Sequence, residues 1–458
     1  VTASERLADE LLAIRDGALP AAVLDRAQDF LLDFLGVALG GVPEESTLTL
    51  RRGLGALGLR GDAVVLGTSD RLPAPQAALA NGAAAHTLEM DDTHSGGSIH
   101  LGASVLPAVL AAATLRPTSG EALLRAAVGG YEVAARLAMA LKPGAHYARG
   151  FHPTGTCGAF GSAAAAGMIL GLDAPALVNA LGIAGSQASG SMEFLEDGAW
   201  TKRFHPGWSA SAGLHAAALA GAGFRAPATI LEGRFGTLMA YSGDADARAL
   251  DPGDDFELLR TSIKPHACCR YMQAPIDASL ALCAEHGIGA SDVERVDVGI
   301  VAAGFPIVCE PTEQKRRPAS VVDAQFSLPF GIAVAIARRS ASPDDFLPAV
   351  FDDPTVVDLM ARVTAVRDAA LDAQYPRVWP AWVRITGRDG RRHEAAVSHP
   401  KGDPENFPTT AELLGKFRRL AGRALPAAQV ERLGALVQDV RRSRDVTQLL
   451  DATVPTGT

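Results

Sequence analysis

Apolar residues recur along this chain with two different periods. Thr2 and Glu5 have the spacing of a capping box, and Leu7, Leu11 and Leu12 follow at helical intervals. After Pro20, residues Val23, Ala27, Phe30, Leu31 and Phe34 fall on one helical face. From about residue 74 to 245 the chain cycles through Ala-rich apolar segments broken by Gly, Pro and His. The pattern predicts helices over 103–115, 121–139, 161–170 and 210–220. These are apolar nearly all round, so they must be buried against one another or in a subunit interface. The period changes near Ser262. Val296, Val298 and Ile300 alternate with polar or small residues, as in a half-buried strand. Val383 and Ile385 alternate too, Arg388-Asp389-Gly390 supplies turn chemistry, and His393, Ala395 and Val397 resume the period of two, which predicts a hairpin. Beyond Pro404 the pattern is helical again, over 411–421 and 427–441. The fold class is mainly α, with a mixed α+β section between helical ones.

Composition narrows the function. Hydrophobic residues make up 48% of the 458 positions but aromatics only 5%, so Ala, Leu and Val fill the core and favour helix. A net charge of -9 argues against a nucleic-acid surface, which needs a clustered cationic face. It leaves room for a locally cationic pocket. The five cysteines contain no Cys-x-x-Cys pair and are odd in number, which suits a reduced, cytoplasmic protein. The first residues are polar and charged, without an apolar signal core. The most apolar run, 103–115, is shorter than the roughly 20 residues a bilayer requires.

Eight of the eleven histidines lie between positions 86 and 266, clustered with Gly, Pro, Asp, Lys and Thr, and four segments of related chemistry stand out there. The first runs from Asn81 through His86, Glu89, Asp91, Asp92 and Thr93 to His100. The second is Gly150-Phe151-His152-Pro153-Thr154-Gly155-Thr156, the third Thr201-Lys202-Arg203-Phe204-His205-Pro206-Gly207, and the fourth Ile263-Lys264-Pro265-His266-Ala267-Cys268-Cys269-Arg270. Each sets a titratable group beside Gly or Pro at the expected mouth of a buried helix, where free N–H groups and the helix dipole attract anions. Lys202, Lys264 and Arg270 have the chemistry to hold carboxylates, and His100 and His152 to move protons near neutrality. Taken singly, each has a blander reading. A lone His is more often a satisfied core residue, Asp91-Asp92 a loop or cap, and Lys202-Arg203 a solvated pair. Cys268 and Cys269 read by default as small hydrophobes, and the basic run Lys315-Arg316-Arg317 as a solvated face. Recurrence within one third of the chain is what favours a site. Metal-ligand spacings, a cluster-binding Cys set, a nucleophile elbow and a P-loop are missing from the sequence.

In this order the segments resemble the MmgE/PrpD family, which includes 2-methylcitrate dehydratase, cis-aconitate decarboxylase and iminodisuccinate epimerase. Supporting stretches are Leu231-Glu232-Gly233, Ile276-Asp277-Ala278, Ala324-Gln325-Phe326-Ser327-Leu328-Pro329 and Pro400-Lys401-Gly402-Asp403-Pro404-Glu405-Asn406. The resemblance implies a large helical domain built from both chain ends (1–261 and 399–458) and a smaller inserted α+β lid (262–398). It also implies a homodimer without cofactor or metal. Carried over by motif, it implies a site of His100, His152, Lys202, Lys264, Asp91 and Thr93 as catalytic residues. Glu89, Asp92, His205, Cys268, Cys269 and Arg270 would contact substrate. The chain departs from the family's decarboxylases in having Glu89 for Asp, Leu101 for Pro, Cys269 for a catalytic His and Gln273 for a further His. The expected activity is that of a cofactor-independent lyase removing a proton alpha to a carboxylate of a small di- or tricarboxylate. Dehydration of a 2-hydroxy polycarboxylate comes first, with decarboxylation or epimerisation as alternatives, and non-catalytic polycarboxylate binding as the rival of another class. Lys202 and Lys264 are expected on opposite walls of one cleft, with Lys264 at the hinge of the lid.

Overall fold

The computed structural model describes residues 1–253 and 255–456. The capping box at Thr2 forms as the spacing requires and opens the helix Ala3–Asp16; the helix Ala21–Gly41 follows Pro20. The centre of the molecule is a stack of five helices, Ala74–Thr87, Gly102–Ala112, Gly120–Ala140, Pro153–Leu170 and Thr201–Gly221, packed on one another. Residues 153–169 are all buried, as expected of a helix that is apolar on every side. Two helices start earlier than the apolar pattern predicts, at Pro153 rather than 161 and at Thr201 rather than 210. Pro153 occupies the first helical position, where its missing N–H is no loss. Pro206 lies inside the second helix, at the expense of one backbone bond to the Lys202 carbonyl.

Close helix contact here depends on glycine. A Cβ on Gly82 would stand 2.7 Å from the Gly207 Cα, and one on Gly207 would stand 2.2 Å from the Leu79 carbonyl oxygen. Bare backbone at this crossing draws Ala74–Thr87 and Thr201–Gly221 together, so the His86 and Lys202 side chains, one turn or so away, can meet.

The later part of the chain carries a four-stranded sheet in the order Val363–Arg367, Val293–Ile300, Ala381–Gly387, Arg392–Val397. The expected hairpin pairs Ile385 with His393, and Val293–Ile300 runs parallel to Val363–Arg367. Asp297 and Gly299 are buried along with Val296, Val298 and Ile300, so this strand is covered on both faces rather than half-buried. The helix Gln273–His286 packs on the hairpin. The chain then returns to helix, and Thr410–Ala421 lies against Ala21–Gly41.

Two small features tie these parts together at the future site. Thr93–His94 pairs with Thr261–Ser262, placing Lys264 beside the 88–93 loop. Gly402, at φ +100°, presses on Ile263, the neighbour of Lys264: a Cβ there would sit 1.7 Å from the Ile263 carbonyl oxygen, while Ile263 N–H donates to the Gly402 carbonyl at 2.9 Å. Among the described residues, no helix is long and apolar enough to cross a membrane.

Candidate active site

Three helix N-termini meet at one cavity. His100 stands two residues before Gly102–Ala112, His152 is the N-cap of Pro153–Leu170, and Lys202 lies in the first turn of Thr201–Gly221. Each terminus carries a partial positive charge, and at Gly102–Ala112 the first N–H is already taken by Asp92 Oδ1. The rings of His86, His100 and His152 have centroids 4.5–6.1 Å apart. Between the first two histidines runs the acidic loop, in which Glu89 is held at φ +54°, a left-handed conformation that a non-glycine residue seldom adopts.

The loop turns Glu89 and Asp91 onto the two lysines. Lys202 Nζ pairs with Glu89 Oε1, and Lys264 Nζ contacts Glu89 Oε2 at 3.2 Å and Asp91 Oδ1 at 3.3 Å. All four side chains are buried. Burial alone would raise the two carboxyls, but the lysines outweigh it at Glu89, and His86 with Lys264 at Asp91, so both stay ionised well below the usual carboxylate range. Burial pulls Lys202 down despite Glu89, whereas Lys264, facing two carboxylates, is held above an ordinary lysine.

Partners fix the imidazole tautomers. Lys202 donates to His86 Nε2 at 3.0 Å, so His86 carries its proton on Nδ1 and donates to Asp91 Oδ2 at 2.7 Å. Burial holds this neutral form, with a pKa of about 3. His100 Nδ1 lies 3.0 Å from the Asp92 carbonyl oxygen, which can only accept; Thr93 Oγ1 is at 3.2 Å. The proton of His100 is therefore on Nδ1, and Nε2 offers a lone pair. His152 shares its Nδ1 with His205 Nδ1 at 3.1 Å. Burial lowers His100, and lowers His152 further beside His205. Neither Nε2 of His100 nor that of His152 has a hydrogen-bond partner among the described residues, and both residues line the cavity.

The cavity holds roughly 510 Å³ of empty space including its mouth, and Glu89, Thr93, Lys202, Cys269 and Arg270 also line it. Arg270 pairs with Asp403, which also accepts from Ser262 Oγ at 2.8 Å. Burial pushes the Cys269 thiol up, so it stays protonated.

Several sequence expectations change here. Lys202 and Lys264 do not face each other across a cleft but converge on the same carboxylate, Glu89; Lys264 and Asp91 lie beneath the cavity floor, with Lys264 only 1% exposed. Asp92 turns away from the cavity to accept from Tyr131 Oη and from Gly102 N–H at 2.8 Å, and burial pushes it up to about 7. Cys268 is a core residue whose Sγ accepts from Gln273 at 3.4 Å. His205 supports His152 rather than lining the cavity. The Lys202-Arg203 pair is buried, and Arg203 donates to Ser46 Oγ at 2.9 Å. Lys315 is not a freely solvated cation, because its Nζ donates to the Ile307 carbonyl at 2.7 Å and burial lowers it. Two titratable site residues were missed, His86 and Asp403, as were Tyr147, Tyr271 and Trp379 of the aromatic lining. His86 and Asp403 stand inside quoted motifs, but nothing local marks their distant partners.

The comparisons with known proteins fit this geometry. The MmgE/PrpD N-terminal domain model matches residues 5–250 and the MmgE/PrpD C-terminal domain model residues 266–442. The cis-aconitate decarboxylase of Aspergillus terreus is 28% identical over 456 residues, covering 94% of this chain and 92% of that protein. The cis-aconitate decarboxylase of Mus musculus is 26% identical over 460 residues, covering 97% and 92%. That of Homo sapiens is 33% identical over 244 residues, covering 52% and 50%. With family models spanning both the helical part and the part that carries the sheet, this chain belongs to the MmgE/PrpD family.

Proposed function

We propose that the chain is a cofactor-independent lyase that moves a proton at the carbon alpha to a carboxylate of a small polycarboxylate. One observation carries the reading: two histidines with open Nε2 atoms face a cavity on which three helix N-termini converge. The helix termini and Arg270 orient substrate carboxylates. His100, neutral and proton-free at Nε2, is the base, and His152 holds the second open nitrogen, suited to return a proton. Carbon acids of this kind are weak, so negative charge grows on the carboxylate as the reaction proceeds. The buried lysines and the helix dipoles stabilise it without reorganising. Glu89 and Asp91 keep both lysines charged and in place.

Decarboxylation is the outcome that the relatives favour, since proteins bearing that activity align with 94–97% of the chain. Loss of carbon dioxide leaves an electron pair that the same positive field stabilises, and carbon then takes up a proton. Dehydration, placed first on sequence, keeps one specific support, the lone pair at His100 Nε2, which suits removal of a proton before hydroxide leaves with a second one. The test is a panel of about twenty di- and tricarboxylates incubated with the full chain and followed by NMR in deuterated water. Exchange at the alpha carbon with loss of carbon dioxide or of water supports the reading and selects the branch. Binding without exchange or product would make the chain a polycarboxylate-binding protein.

A further inference from the structure

The ionic groups at the cavity neutralise one another. Lys202, Lys264 and Arg270 supply three positive charges, and Glu89, which meets both lysines, Asp91, which meets Lys264, and Asp403, which meets Arg270, supply three negative ones. The histidines are neutral, because burial lowers His86, His100 and His152. The remaining positive bias comes from the N-termini of Pro153–Leu170 and Thr201–Gly221, at about half a charge each, or about 1 in all, because Asp92 takes the Gly102 N–H of the third, and from buried Arg203, whose partners are Ser46 and Gln325. That matches one or two carboxylates; a third would enter without compensation.

Apart from Thr93 and Ser98, the rest of the lining is apolar or aromatic. Phe194, Ile307, Phe326, Tyr147, Tyr271 and Trp379 all border the cavity. The polar atoms of this wall are already engaged. Tyr147 Oη bonds Ser98 Oγ at 2.8 Å, Tyr271 Oη meets Tyr375 Oη at 3.1 Å, and Trp379 Nε1 donates to the Pro376 carbonyl at 3.1 Å. Tyr271 and Trp379 stack with centroids 4.2 Å apart, which fixes the surface they offer. Away from Arg270, whose guanidinium lies 5.4 Å from the Trp379 ring centroid and can take a carboxylate, this wall gains little from a carboxylate and gains from hydrocarbon.

We infer that the substrate is a dicarboxylate carrying an apolar substituent of several carbons, seated against Ile307, Phe326 and Trp379, rather than an unsubstituted tricarboxylate. The inference rests on the lyase reading above and narrows its substrate class. The test compares kcat/KM of the full chain on two matched series. One consists of citrate and cis-aconitate; the other of 2-hydroxy and unsaturated dicarboxylates bearing methyl to butyl, or benzyl, substituents. Each added methylene should raise kcat/KM about fourfold until the wall is covered, and the best substituted acid should exceed both tricarboxylates by at least about tenfold. Trp379→Leu should flatten this dependence. Ile307→Asn, at a partly exposed position, should flatten it too should the first variant fold poorly. Turnover that is fastest on the tricarboxylates, or indifferent to chain length, overturns the inference and leaves the lyase reading intact. Turnover of neither series, with no proton exchange, removes the lyase reading and this inference with it.

Discussion

Replacing Lys264 by Met keeps the stem and removes the charge, and the structure sets the size of the effect. Lys264 is 1% exposed and serves two carboxylates, at 3.2 Å and 3.3 Å. Without it Glu89 keeps Lys202 and Asp91 keeps His86, but two negative charges remain buried against one positive charge. Breaking a buried pair from one side costs about 3–5 kcal/mol. For 458 residues at roughly 2.1 cal/mol/K per residue, that lowers Tm by about 3–5 °C. The penalty depends on pH. Glu89 and Asp91 lie below ordinary carboxylates in the folded chain, so their stabilisation is present above the unfolded values, near pH ~4, and is lost as pH falls through the lower folded ones. In Lys264→Met burial meets less opposition and the folded values rise. The destabilisation is then full at neutral pH and shrinks on acidification. Asp91→Asn supplies the second arm of a double-mutant cycle, since an asparagine oxygen still accepts from His86. The double variant should be more stable than the sum of the single effects by at least ~1.5 kcal/mol, while its turnover stays at least about a hundredfold down. Melting curves carried from pH 8 down to about pH 3, across the unfolded carboxylate range, and turnover on the best substrate measure both. Additive effects within ~0.5 kcal/mol, or a Tm loss that does not vary with pH, would refute the buried cluster as drawn.

Because burial lowers His100 from 6.5, the acid limb of kcat/KM, where activity rises as the base loses its proton, should have its midpoint below that value. A midpoint above it, or an unchanged limb in His100→Asn, would remove His100 as the base. A Cβ on Gly207 would lie 2.2 Å from the Leu79 carbonyl oxygen, so Gly207→Ala should part the two helices, weaken the Lys202–His86 contact and lower kcat more than it raises KM; wild-type kinetics would show the crossing to be irrelevant. Turnover should survive exhaustive chelation with elemental analysis, although His86, His100 and His152 are close enough to hold an ion. Loss of activity restored by one specific divalent cation contradicts that. Trp200, Phe204 and Trp208 form an exposed aromatic stripe along Thr201–Gly221, and we expect it to be buried in a homodimer. Sedimentation at micromolar concentration should give twice the chain mass, and Trp208→Glu should reduce it; a fully active wild-type monomer would refute this.

The sequence by itself determined the elements that depend on neighbours along the chain. The capping box at Thr2, the all-round apolar helices, the 381–397 hairpin and the return to helix after Pro404 follow from periods of 3.6 and 2, which record the side of a segment that must leave water. His100, His152, Lys202, Cys269 and Arg270, singled out by recurring Gly- and Pro-flanked chemistry together with the family resemblance, line one cavity. What the sequence could not contain was the pairing of charges. Lys202 meets Glu89 across 113 residues, Lys264 meets Glu89 across 175, and Arg270 meets Asp403 across 133. No local period specifies such partners. They are chosen by the Gly82–Gly207 crossing, the Thr93–Ser262 pairing and the Gly402 contact, which bring distant backbone within reach. Hence lysines that read as free clamps became half of a neutral cluster, and Asp92, one residue from Asp91, was turned to the opposite side. Only tertiary packing decides which buried carboxylate an ammonium group meets, because the cost of burying either one alone is what drives them together.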